Sequence, residues 1–257
     1  MTLIVGIRCR DGIVVGADSI TTFGSRIEQE VSNKIQHISG DAVIATAGAV
    51  GLGQLIKDEL AKGWKSVTDQ NNVSAARNAI SQLIWSEVRP AMQRTSEAKQ
   101  ILGADDSIFS NVLCNSLIAL PVQDSAALLA FDEFAQSIEV ALESWFFSIG
   151  SGSFQADPFL AFIKRIFWSD SAPQKTTDGV FCVLWTLDHV SRVNAGLGVG
   201  GRPNVFVLKK TDTTWKAERL NEHDLEEQLI AIQAAEDKLR EFRERFSPKS
   251  PADDTLE

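Results

Sequence analysis

Three residues near the start of this 257-residue chain, Thr2, Asp18 and Lys34, have types suited to nucleophilic catalysis. Initiator methionine is commonly removed ahead of a small residue, which would leave Thr2 with both a hydroxyl and a free α-amine. Such an amine, directly or through water, is a base for the threonine's own hydroxyl. An α-amine has a pKa near ~8, so about one-tenth of it is neutral at pH 7. A fixed positive charge nearby disfavours the ammonium, and a shift of roughly one unit would leave about half of the amine neutral. Lysine supplies that charge when a carboxylate keeps it ionised and in place. Asp18, after one predicted strand, and Lys34, at the start of another, are the candidates.

The elements that must position them are strands. Thr2–Arg8 and Ile13–Ala17 are β-branched runs joined by Arg10-Asp11-Gly12, and Asp-Gly is a strong hairpin signal. Lys34–Ile38 and Ala42–Ala47 form a second pair around Ser39-Gly40-Asp41. The period then becomes helical: Leu52, Leu55, Ile56 and Leu60 predict a helix stopped at Gly63. A second helix is predicted over Ser74–Arg94, bent or broken at Pro90. Strands return at Ile108–Val122, Ala126–Phe131, Ser137–Leu142 and Trp145–Ile149. Helices follow at Phe154–Trp168 and Thr177–Val193, then closing strands at Asn204–Leu208 and Thr214–Glu218.

Strands and helices that segregate into runs indicate an α+β class. The order predicts a four-layer αββα sandwich, two antiparallel sheets between helix layers, over residues 2–218. Residues 221–246 add a long C-terminal helix with Leu225, Leu229, Ile232, Ala235, Leu239, Phe242 and Phe246 on one stripe. That stripe packs either on its own domain or on a neighbouring subunit. Residues 247–257, acidic with two prolines, read as a flexible tail.

Composition excludes several classes. A net charge of -9 argues against nucleic-acid binding. No stretch approaches the ~18 apolar residues that span a bilayer, and no secretory leader is evident, so a cytoplasmic location without membrane attachment is expected. Cys9, Cys114 and Cys182 are scattered and odd in number, and the histidines are His37, His189 and His223. Neither a disulfide framework nor a metal site is expected, and no cofactor is implied. Gly196-Leu197-Gly198-Val199-Gly200-Gly201 fits GxGxxG, but Pro203 and a β-run follow where a dinucleotide site needs a helix.

Thr2 with its β-run, Gly16-Ala17-Asp18-Ser19, Asn33-Lys34-Ile35 and Ala45-Thr46-Ala47-Gly48, all in register without a gap, resemble the proteasome β-subunit family. Among its members the sequence looks most like the bacterial homologues built from one subunit type. The resemblance implies an N-terminal-nucleophile (Ntn) hydrolase: a threonine endopeptidase with Thr2 as nucleophile, Lys34 tuning its amine and Asp18 holding Lys34. It implies that the Gly48 N–H donates to the oxyanion, and that Ser151, in Gly150-Ser151-Gly152-Ser153, positions the Thr2 amine.

It further implies a homo-oligomer, a single or double ring of roughly 12–14 subunits acting on peptides or unfolded protein, with an ATPase as a possible partner. Thr21, Ser32, Thr46 and Val50 fall where the family lines its substrate pocket, and their small uncharged side chains suit neutral residues. The family also carries an aspartate three residues before a serine ahead of a late strand. Asn194–Gly201 occupies that region here, with Asn194 or Asp188 as the substitutes. Two other readings share the fold: a ring protein that binds or scaffolds without cleaving, and an Ntn amidase acting on small amides.

Overall fold

The computed structural model describes residues 2–23, 26–30, 34–168, 172–194 and 199–246. Two five-stranded antiparallel sheets form its centre. The first has β1 (Ile4–Arg8), β2 (Gly12–Ala17), β10 (Phe146–Ile149), β11 (Asn204–Thr211) and β12 (Thr214–Arg219), in the order β10-β1-β2-β11-β12. The second has β5 (Ile35–Ile38), β6 (Ala42–Gly48), β7 (Cys114–Val122), β8 (Ser125–Phe131) and β9 (Ser137–Glu139), in chain order. A separate ribbon pairs β3 (Ile20–Phe23) with β4 (Arg26–Glu30).

Alternate residues of each strand feed different layers, as the two-residue period of a strand requires. Ile13, Val15, Val43, Ala45, Leu117, Ala119 and Leu128 fill the space between the sheets. Val5, Ile7 and Val14 face the other way, onto Leu160 and Ile163 of α3 (Ser153–Phe167) and Val183 and Leu187 of α4 (Thr176–Val193). Ile44, Ile118 and Leu129 face Leu52, Ile56 and Leu60 of α1 (Val50–Thr68) and Ile80 and Ile84 of α2 (Val73–Leu102). The layers are therefore helix, sheet, sheet, helix, the αββα sandwich expected from the order of elements. Strands buried on both faces explain the nearly continuous apolar runs.

Several boundaries differ from the sequence expectation. Gly63 does not stop α1; a Cβ there would sit 2.6 Å from Leu83 Cδ2, so the glycine lets α2 pack closely. Pro90 lies inside α2, which continues to Leu102 and ends on left-handed Gly103. Pro90 and Ser86 are both exposed, so the Ser86 carbonyl that loses its helical donor faces water. The strand expected from Ile108 begins only at Cys114. Asp106–Val112 is a 3-10 turn, with the Asp105 carboxylate accepting the Ser107 N–H at 2.9 Å.

The C-terminal helix α5 (Glu222–Phe246) lies on α4. It buries Leu225 and Ile232 there, and Trp185 Nε1 donates to Glu236 Oε1 at 3.0 Å. Leu229 on the same stripe is exposed, and so, beyond Glu236, are Leu239, Phe242 and Phe246. Residues 247–257 lie outside the described residues. No helix among the described residues is long and apolar enough to cross a membrane.

Candidate active site

Asp18 follows β2 of the first sheet and Lys34 precedes β5 of the second. The Lys34 ammonium donates to Asp18 Oδ1 at 2.7 Å, and both side chains are buried. The same oxygen accepts the Leu3 N–H at 2.8 Å, while the Asp18 N–H returns to the Leu3 carbonyl at 3.2 Å. Asp18 thus grips the backbone directly after Thr2. Burial pushes the Asp18 carboxyl up and the Lys34 ammonium down from their ordinary values; their mutual attraction opposes both shifts.

Thr2 is held from the other side by the loop joining β10 to α3. Its nitrogen donates to Ser151 Oγ at 3.1 Å. Its carbonyl accepts the Gly152 N–H at 3.0 Å. Gly150 has φ +94°, and a Cβ there would lie 2.3 Å from the Thr2 carbonyl oxygen, so a side chain cannot stand at that position.

Gly48 ends β6 with φ +121°, and a Cβ there would lie 2.2 Å from the Leu113 carbonyl oxygen. Gly48 stands opposite Cys114, and the Ala49 N–H donates to the Leu113 carbonyl at 2.8 Å. That register makes Gly48 and Cys114 a pair without mutual hydrogen bonds, so the Gly48 N–H points away from β7. Among the described residues β5 pairs on that side only as far as Ile35 opposite Ala45, and Gly48 is exposed where it lines the cavity described next.

A cavity of about 750 Å³ gathers these groups: Thr2, Lys34, Gly48 and Ser151 all line it, with Thr46 and Val50. Thr21 lies in β3 opposite Gln29, and Ser32 lies outside the described residues. The cavity also holds Lys57 and Asn115, which no motif had marked. Lys57 sits within a helical run whose periodicity shows only the apolar stripe.

The late segment behaves differently from the family pattern. Asn194 donates to the Val190 carbonyl at 3.1 Å and accepts from Gln155 at 3.4 Å. An aspartate three residues ahead of a serine does occur, as Asp188 and Ser191, but inside α4, where Asp188 pairs with Arg192 at 2.8 Å. Among the described residues of this region, the backbone of Gly200 reaches Asp18: its N–H donates to Asp18 Oδ2 at 3.4 Å. Residues 195–198 of the glycine-rich run lie outside the described residues.

The fold, two stacked antiparallel sheets between helix layers, is that of the Ntn hydrolases. The chain belongs to the proteasome subunit family: the family model described as "Proteasome subunit" matches residues 2–162. It is 30% identical over 89 residues to a proteasome subunit beta of Nanoarchaeum equitans, a match covering 33% of this chain and 45% of that protein's length. Among solved structures it resembles Anbu (ancestral beta-subunit) from Yersinia bercovieri, at TM-score 0.70 and 18% identity over 97% of this chain and 99% of the other. It also resembles the Anbu complex of Pseudomonas aeruginosa, solved as a helical assembly, at TM-score 0.69 and 18% identity over the same shares. The likeness at this identity concerns the fold.

Proposed function

We propose that this chain is a threonine peptidase whose nucleophile is Thr2, exposed as the N-terminal residue by removal of Met1. The observation that carries the reading is the single Asp18 oxygen joining the Lys34 ammonium to the amide next to Thr2, at the edge of a cavity that also holds Gly48 and Ser151. The nitrogen now bonded to Ser151 is the atom that becomes the free amine.

In the proposed reaction that amine takes the hydroxyl proton as Thr2 Oγ1 attacks a peptide carbonyl carbon. Lys34 disfavours the protonated amine and keeps it basic at neutral pH. The Gly48 N–H receives the oxyanion, the peptide C–N bond breaks, and the leaving nitrogen takes the proton. Water, deprotonated by the same amine, then hydrolyses the Thr2 ester and regenerates the hydroxyl.

The assembly we propose is a homo-oligomer in the cytoplasm, a closed single or double ring that receives peptides or unfolded protein, with an ATPase as the partner that feeds it. The helical form of the P. aeruginosa relative makes an open spiral of repeated interfaces the competing geometry. Native mass spectrometry separates a closed ring from a distribution of lengths.

Intact mass and active-site labelling test the chemistry. The expected result is a chain lacking Met1 that takes up a threonine-directed electrophile at Thr2 and loses the adduct in Thr2→Ala. Met1 present in every molecule, or no adduct, rejects it. One observation favours a second reading, a non-cleaving assembly subunit: Asp188 pairs with Arg192 inside α4. That reading predicts retained Met1.

A further inference from the structure

We infer that the outer edge of β10 is the subsite for the leaving half of the substrate. That half pairs with β10 as an added strand and turns apolar side chains, at alternate positions, into the gap between the sheets. The inference rests on Thr2 being the reacting residue. The side on which the leaving group departs follows from the proton it must receive. That proton comes from the Thr2 nitrogen, which lies 3.1 Å from Ser151 Oγ, two residues past the end of β10. The departing segment therefore starts at the Gly150–Ser151 end of β10. The proposed oxyanion donor Gly48, with Thr46 and Val50, belongs instead to β6 and the start of α1.

The register of β10 suits it to that pairing. The Arg8 N–H donates to the Trp145 carbonyl at 2.7 Å, and β1 and β10 keep this register from Ile7 opposite Phe146 to Ile4 opposite Ile149. Bonded and unbonded pairs alternate in an antiparallel ladder, so Ser148, opposite Val5, turns its N–H and C=O away from β1. Among the described residues no strand lies beyond β10 in its sheet. Phe147, Ser148 and Ile149 all line the cavity, although the Ser148 hydroxyl donates to Asp157 of α3 on the helix side. Three consecutive residues border one cavity when the edge of the strand, and not a single face, meets it.

Phe147 and Ile149 project between the sheets. Facing them are Ala130 of β8, in the same inter-sheet layer, and its cross-strand partner Ile138 of β9. Both line the cavity, and paired residues share a face of their sheet. Ile138 is 59% exposed there. A strand added to β10 would place every second side chain beside Phe147 and Ile149 and cover Ile138. Side chains between them would point to the α3 side. The wall thus selects bulky apolar residues with a period of two after the attacked bond.

Cut-site mapping tests the inference. A mixture of denatured, amine-blocked proteins is digested, and each new N-terminus is identified by mass spectrometry. Leu, Ile, Met and Phe should be favoured about tenfold over Gly and Asp at one of the first two positions after the cut, and not at the other. Ile138→Glu should abolish that preference and leave the pattern before the cut unchanged. Ser148→Pro removes the outward N–H, which Ser148→Ala keeps. On a peptide found in the digest its kcat/KM should be about three- to tenfold below that of Ser148→Ala. The gap should close when the same acyl half carries a small fluorogenic amine. Cleavage with no alternation after the cut, or a gap that persists on the small amine, overturns the inference and leaves the peptidase reading standing. So does an Ile138→Glu protein that changes its assembly in native mass spectrometry but keeps its cut pattern, which would give this wall to a neighbouring subunit. A protein that cuts nothing rejects both.

Discussion

Lys34 Nζ lies 2.7 Å from Asp18 Oδ1, with the two side chains only 8% and 3% exposed. A buried pair of this kind contributes modestly as a pair, but removing one partner strands the other. Lys34→Met should therefore destabilise the chain by about 3–5 kcal/mol. Asp18→Asn combined with Lys34→Met should recover much of that stability and restore no turnover. Denaturant unfolding of the three proteins, with peptide hydrolysis in parallel, checks both; a double variant no more stable than Lys34→Met contradicts the account.

Gly48→Ala should lower kcat by about 10²–10³ with a smaller change in KM, because it displaces the amide proposed as the oxyanion donor. The added methyl meets the Leu113 carbonyl and a backbone conformation that alanine resists, so β6 must shift. Steady-state kinetics and circular dichroism on the same protein decide it: full activity in a folded variant removes Gly48 from the proposed site.

Ser151→Ala removes the acceptor of the Thr2 nitrogen and leaves the Gly152 N–H on the Thr2 carbonyl. The folding cost should be about 1 kcal/mol, that of one ordinary hydrogen bond. Turnover should fall by about 10²-fold through loss of amine positioning. A rate loss no larger than the stability loss explains would make Ser151 a loop residue only.

Lys57 supplies a pH dependence of stability. Its folded value is lowered from 10.5 to about 8, so the folded state releases a proton that the unfolded chain still holds between these values. Stability should therefore carry the full cost of the buried charge below pH 8. That cost, up to about 3 kcal/mol, should be relieved as pH rises from about 8 to 10.5. Lys57→Met should lack this rise. Urea melts of both proteins across the window read the difference.

Ile232→Ala, beneath α5 against α4, should cost about 2–5 kcal/mol. Phe242→Ser with Phe246→Ser, on the exposed end of the same helix, should stay within about 0.5 kcal/mol. Thermal unfolding compares them. A large effect at the exposed end would place its covering surface on another subunit.

Much of this was legible because local chemistry and tertiary need coincide. Asp11-Gly12 announces the β1–β2 hairpin, and that hairpin carries Asp18 to the level of Thr2. Gly63 and Pro90 misled for a physical reason: both are ordinary breakers of helices, yet one makes room for Leu83 and the other sits where water can serve the orphaned carbonyl. The β3–β4 ribbon was invisible because Thr21, Thr22, Glu28, Gln29 and Glu30 lack apolar alternation. Lys57 and the Gly200 amide could not be read locally at all. Their place in the site depends on which helix or loop descends on which strand.

The Asp18–Lys34 contact has its two halves on different sheets, one at the exit of β2 and the other at the entrance of β5. It therefore works as an alignment gauge for the sandwich. A slip of one sheet over the other by the length of a hydrogen bond would leave every ladder intact while parting Lys34 from the Asp18 carboxylate that holds the backbone beside Thr2. Activity should thus report relative sheet position more sensitively than any measure of secondary structure.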